Sequence, residues 1–120
     1  MKNLVLSMMF LVSSVFSTFV VASENVVLIN SFKVPEHQLG ETINMWEKAR
    51  DYLQQQPGYI STALHQSLSS DAQYRLINVA QWRTVEEYTK ATQSMRANAG
   101  LPRIEGVKPS PALYHVIRRD

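Results

Sequence analysis

The sequence predicts an α+β domain, two helices packed on one face of a four-stranded antiparallel sheet, with elements in the order β-α-β-β-α-β. Three observations carry this. Residues 74–82, YRLINVAQW, alternate with a period of two, whereas residues 39–53 repeat apolar side chains at spacings of three and four. Between the periodic segments stand strong punctuators: Pro57-Gly58, the pair Thr84 and Glu87, and a Gly/Pro-rich stretch over 98–111.

Residues 26–33, VVLINSFK, read as the first strand. Pro35 follows where a first helical turn tolerates a missing N–H, so a helix is expected to start there. Leu39, Ile43, Trp46, Arg50 and Leu53 then form an apolar stripe interrupted only by the long stem of Arg50, and Pro57-Gly58 ends it. YISTALHQ, residues 59–66, is rich in β-branched and aromatic residues, and the polar run 67–73 turns it into the strand 74–82 as an antiparallel hairpin. Thr84 and Glu87 make a capping box for a second helix, whose buried face is Val85, Tyr88, Thr92 and Met95. Residues 98–111 read as a loop, and Ala112 to Arg118 as the closing strand. This is the split βαβ, ferredoxin-like order, with both helices on one face of the sheet.

In strand 74–82 the alternation sets Tyr74, Leu76, Asn78, Ala80 and Trp82 on one face and Arg75, Ile77, Val79 and Gln81 on the other. Both faces read as at least half buried. Asn78 therefore needs partners, since an unpaired buried polar group costs about 1–3 kcal/mol. Ile77 and Val79 point away from the helices, and a second copy of the chain would cover them.

The 120 residues make one domain behind an N-terminal leader. Met1-Lys2 is a short basic start, and Asn3 to Val21 contains no charge and is broken only by small hydroxyl residues, the pattern of a secretory signal. Val20 with Ala22, or Val21 with Ser23, satisfies the small-x-small rule, so cleavage is expected after Ala22 or Ser23, with residues 1–23 as leader and 24–120 as the mature domain. An uncleaved membrane anchor is the rival reading. The leader implies export across the inner membrane, to the periplasm. Without Lys2 the chain carries 11 basic against 10 acidic residues, a formal charge of +1. Its cations are scattered, which argues against a nucleic-acid face. The absence of cysteine excludes disulfides, thiol catalysis and thiolate metal sites. A mature chain this short gains from dimerisation, which buries more apolar area.

His37, His65 and His115 lie on different elements with no metal-ligand spacing, so each reads as a surface or hydrogen-bonded residue; His65 is the one whose strand neighbours Asn78. No serine sits in a nucleophile elbow and no Gly-rich phosphate loop is present. What remains is a pocket between sheet and helices lined by Asn30, Asn78, Trp82 and Tyr88, with Arg103 in the following loop. An indole and a phenol make a flat apolar wall, and amides with a guanidinium can hold a phenolate or carbonyl, which suits an oxygen-rich aromatic. The competing reading makes Trp46, Trp82 and Tyr88 ordinary core.

The strand VVLINSF, Trp46 ahead of LQQQPGY, and NVAQWRTVEEY, in this order, resemble the antibiotic biosynthesis monooxygenase family over roughly Val26 to Ile117. The resemblance implies a homodimer whose two sheets form a dimeric α/β barrel, one pocket per subunit, and oxidation of an electron-rich phenol or hydroquinol to a quinone by O2 without a cofactor. It assigns the catalytic places to Asn78, Trp82, Tyr88 and Arg103. From the residues themselves, Asn30 is placed in the substrate pocket, and His65 with it because its strand neighbours that of Asn78. Haem-degrading relatives carry a Trp and an axial His on the second helix. Here Ala91 holds the Trp place and no histidine lies between His65 and His115, so no haem is expected. Two further readings are a non-catalytic exported dimer that binds a small apolar ligand, and a structural dimer whose pocket is filled by side chains.

Overall fold

The computed structural model of the chain describes residues 13–15 and 25–120. Apart from 13–15, the expected leader and its cleavage positions at Ala22 and Ser23 lie outside the described residues. The order is β1 (Val26–Lys33), α1 (Leu39–Leu53), β2 (Tyr59–Gln66), β3 (Leu76–Trp82), α2 (Val85–Asn98) and β4 (Lys108–Tyr114), with one 3₁₀ turn, Glu36–Gln38, before α1. The strands form one antiparallel sheet in the order β2-β3-β1-β4. This is the ferredoxin-like α+β fold that the alternation and the helical stripes predicted.

Burial follows the pleat. Leu76, Asn78, Ala80 and Trp82 of β3 are buried while Ile77, Val79 and Gln81 between them are only half-buried. Leu28, Ala80 and Trp82 pack against Ala91 and Tyr88 of α2 and Leu53 of α1. At the other end Phe32, Val34 and Leu76 pack against Leu39 and Ile43 of α1. Both helices therefore cover the face that carries Leu28, Phe32, Asn78 and Trp82. The opposite face, with Val27, Ile29, Ile77 and Val79, carries no helix among the described residues and is left half-exposed.

Local signals explain the boundaries. Pro35 caps the 3₁₀ turn rather than α1, which begins four residues later. Thr84 accepts a hydrogen bond from the Glu87 N–H at 3.1 Å, the expected N-cap of α2. The Glu87 carboxylate in turn accepts from Arg83 and from the Thr84 hydroxyl, and its Arg83 hydrogen bond, seconded by Thr84 and the Arg83 and Lys90 charges, holds it below the usual carboxylate range against the cost of its desolvation. Gly58, at φ +89°, enters β2 hard against this cap: a Cβ there would lie 2.5 Å from Glu87 Cβ.

The fourth strand departs from expectation. It spans Lys108–Tyr114, not 112–118, so the loop ends before Lys108 rather than at Pro111. Pro109 and Pro111 sit within it because β4 is an edge strand, paired only with β1, and an edge strand has no second neighbour that needs the missing donors.

Candidate functional site

Between the helices and the sheet lies a cavity of about 250 Å³ with a predominantly apolar lining. Its sheet wall is built from alternate residues of β1 and β3, among them Leu28, Phe32 and Ala80; its helix wall includes Met45, Trp46 and Met95. Four of the sequence-predicted residues, Asn30, Asn78, Trp82 and Tyr88, line it together.

The two asparagines oppose each other directly in the β1–β3 register. Each has its carbonyl oxygen occupied by the protein. Asn78 Oδ1 accepts from Thr62 Oγ1 at 2.6 Å, and Asn30 Oδ1 accepts from the Ser110 N–H at 3.1 Å across to β4. The fixed oxygens set the amide orientations, and among the described residues neither Nδ2 group donates to protein. Neither nitrogen is sealed off, because no buried side-chain polar atom of the described residues lacks a partner. The sheet wall thus presents two N–H₂ groups uncommitted to protein beside oxygens that each already accept one hydrogen bond, a surface that suits a carbonyl or an oxyanion.

Trp82 is 1 % exposed, and Tyr59 and Tyr88 meet it edge-on at 5.6 Å and 5.7 Å between ring centroids. Its indole is both core and cavity wall, so the packing and site readings converge on it. Burial pushes the Tyr88 phenol above the ordinary tyrosine range, with Arg96 pulling weakly the other way. It is a neutral hydroxyl at physiological pH.

Two expected site residues are placed elsewhere. His65 pairs with Ile77, not with Asn78, and period-two geometry therefore sets it on the sheet face opposite the cavity, where its Nδ1 lies 3.3 Å from the Ile77 carbonyl. Arg103 lies exposed in the α2–β4 loop and does not line the cavity. The guanidinium on the lining is that of Arg50, stacked 5.3 Å over the Trp46 ring. Its signal was the cation interrupting the apolar stripe of α1. Thr62 was also missed, and the β2–β3 pairing that aims it at Asn78 was its only signal.

Among the described residues no cluster of His, Asp or Glu could hold a metal ion, and neither histidine nor carboxylate lines the cavity.

Comparison with known proteins places this arrangement. The profile described as antibiotic biosynthesis monooxygenase matches residues 25–101. A Shewanella loihica protein assigned provisionally as a monooxygenase is 49 % identical, with 81 % of this chain and 98 % of that one covered and a TM-score of 0.74. Two more distant structures share the fold. SnoaB, a cofactor-independent oxygenase from Streptomyces nogalater, is 17 % identical, with 81 % and 97 % covered and a TM-score of 0.59. The heme-degrader MhuD from Mycobacterium tuberculosis, with two hemes bound in its active site, is 21 % identical, with 79 % and 98 % covered and a TM-score of 0.60. No curated protein matches the chain significantly. A profile spanning the first three strands and both helices, with a near relative matched along almost its whole length, shows that the chain belongs to the antibiotic biosynthesis monooxygenase family.

Proposed function

We propose that the chain is a cofactor-independent monooxygenase that oxidises an electron-rich phenol to a quinone with O2. The observation that carries this is the opposed pair of uncommitted amide donors, Asn30 and Asn78, at the sheet wall of an aromatic-lined apolar cavity. Donors aimed at an oxygen in a water-poor site stabilise its anion and so lower the phenol's pKa. The phenolate is electron-rich enough to pass one electron to O2. Radical recombination forms a carbon–oxygen bond at the ring carbon para to the hydroxyl. The peroxide takes up the proton that the phenol gave to solvent, and loss of the ring-carbon proton with cleavage of the O–O bond releases water and leaves the quinone, one oxygen atom as its new carbonyl and the other in water. Trp82 and Tyr88 hold the ring in position, and the walls limit water.

The half-exposed apolar sheet face supports a homodimer in which a second sheet covers Ile29, Ile77 and Val79. This reading assigns the cavity no haem, and among the described residues its lining includes no histidine that would ligate one. The N-terminal sequence supports export to the periplasm, with cleavage after Ala22 or Ser23. N-terminal sequencing of protein recovered from the periplasm checks that point.

One observation favours a second reading, a non-catalytic dimer that carries a small apolar ligand. Among the described residues the cavity wall has no carboxylate or histidine to take a proton at neutral pH. Oxygen uptake with electron-rich naphthols separates the two: turnover supports the oxygenase, and binding without turnover supports the carrier.

A further inference from the structure

The cavity is small, and its sheet wall and its helix wall each carry a nitrogen donor group. About 250 Å³ falls below the roughly 300–1,000 Å³ typical of pockets for drug-sized ligands, which fits one or two fused rings better than four. The amides stand on the sheet wall. Arg50, on α1, stands on the helix wall and is the only charged side chain of the lining among the described residues.

Arg50 is held but not used up. It stacks over Trp46, and its Nε and Nη2 both donate to a single oxygen of Asp51, at 3.1 and 3.0 Å. That pair is solvent-accessible, with side chains 33 % and 66 % exposed, so it is weak and readily exchanged. The Nη1 group makes no bond to protein among the described residues. The Trp46 contact holds the guanidinium at the cavity and leaves Nη1 to donate to an incoming carboxylate.

We infer that Arg50 determines specificity, and that the ligand of this site is a one- or two-ring phenol bearing a carboxylate at the end remote from its hydroxyl. The inference rests on the reading of the cavity as an aromatic-binding site. The hydroxyl sits on Asn30 and Asn78, the rings lie along the aromatic wall, and the carboxylate displaces Asp51 from Arg50.

Three probes test it by isothermal titration calorimetry on the purified protein: 6-hydroxy-2-naphthoate, its methyl ester, and 2-naphthol. The acid should bind about 5- to 10-fold more tightly than the ester, a charge-assisted contact discounted for partial exposure. Arg50→Gln should shrink that ratio to less than about two-fold, and Arg50→Lys should keep part of it. Asp51→Asn should move it the other way, tightening the acid alone, because the competing carboxylate is gone. Equal binding of acid and ester, or a ratio that survives Arg50→Gln, overturns the role of Arg50 and leaves the aromatic site standing. If none of the three probes binds the folded protein, the aromatic site falls and the inference with it.

Discussion

Replacing Asn78 by alanine separates a site residue from a structural one. The substitution removes an uncommitted Nδ2 donor from the cavity and also deprives Thr62 Oγ1 of its acceptor. The loss to stability is that of one neutral hydrogen bond, about 1 kcal/mol, which lowers the Tm of a domain this size by about 4–8 °C. The loss to function is larger, because a hydrogen bond to a charged group is worth about 1.5–3 kcal/mol. At 1.36 kcal/mol per pKa unit, a naphthol bound in the cavity should ionise about 1–2 pH units higher in Asn78→Ala than in the wild type. The ultraviolet band of naphtholate, followed against pH with protein in excess, reads this directly. Turnover at neutral pH should fall about 10- to 100-fold, less than for a lone oxyanion donor because Asn30 remains opposite. A bound naphthol whose ionisation is unmoved by the substitution would refute the assignment of the amides to an oxyanion.

Other expectations follow from packing and charge. Gly58→Ala forces a Cβ into Glu87 at a positive φ and should cost about 2 kcal/mol or more, seen as a lower denaturant midpoint with an unchanged slope. Trp82→Ala should cost about 3–5 kcal/mol, a large part of a small domain's stability, whereas Trp82→Phe should fold and bind less tightly. Arg75→Met should cost about 2–3 kcal/mol, since the buried guanidinium satisfies the Ser67 and Ser69 carbonyls and pairs with Glu36. Burial raises the Tyr88 pKa above its unfolded value, so its contribution is intact below that value and is lost as pH rises through the folded pKa. As pH rises through the ordinary tyrosine range, about 10, and above it, the wild type should therefore lose stability more steeply than Tyr88→Phe.

Period-two alternation made β3 and its buried face legible, and with it Asn78 and Trp82. Capping chemistry likewise located the start of α2 at Thr84. What the sequence obscured was long-range. Pro109 and Pro111 read as loop because their tolerance depends on β4 lying at a sheet edge, which only the strand order reveals. His65 was set beside Asn78 because neighbouring strands were recognised without their register; once Leu64 is the residue opposite Asn78, His65 must face the other way. In the sequence Arg50 reads as a long aliphatic stem on a helical stripe. Burial of a stem and delivery of its head into a cavity look alike in a one-dimensional pattern. Arg103, carried over by family likeness alone, shows that a residue type after the second helix does not fix where a loop sends its side chain.

The most direct test of the oxygenase reading is the stoichiometry of oxygen consumption with a two-ring electron-rich phenol. One O2 should disappear per phenol converted to quinone, with no hydrogen peroxide released and the rate reduced by Asn78→Ala. Folded protein that binds the phenol and consumes no oxygen would contradict it.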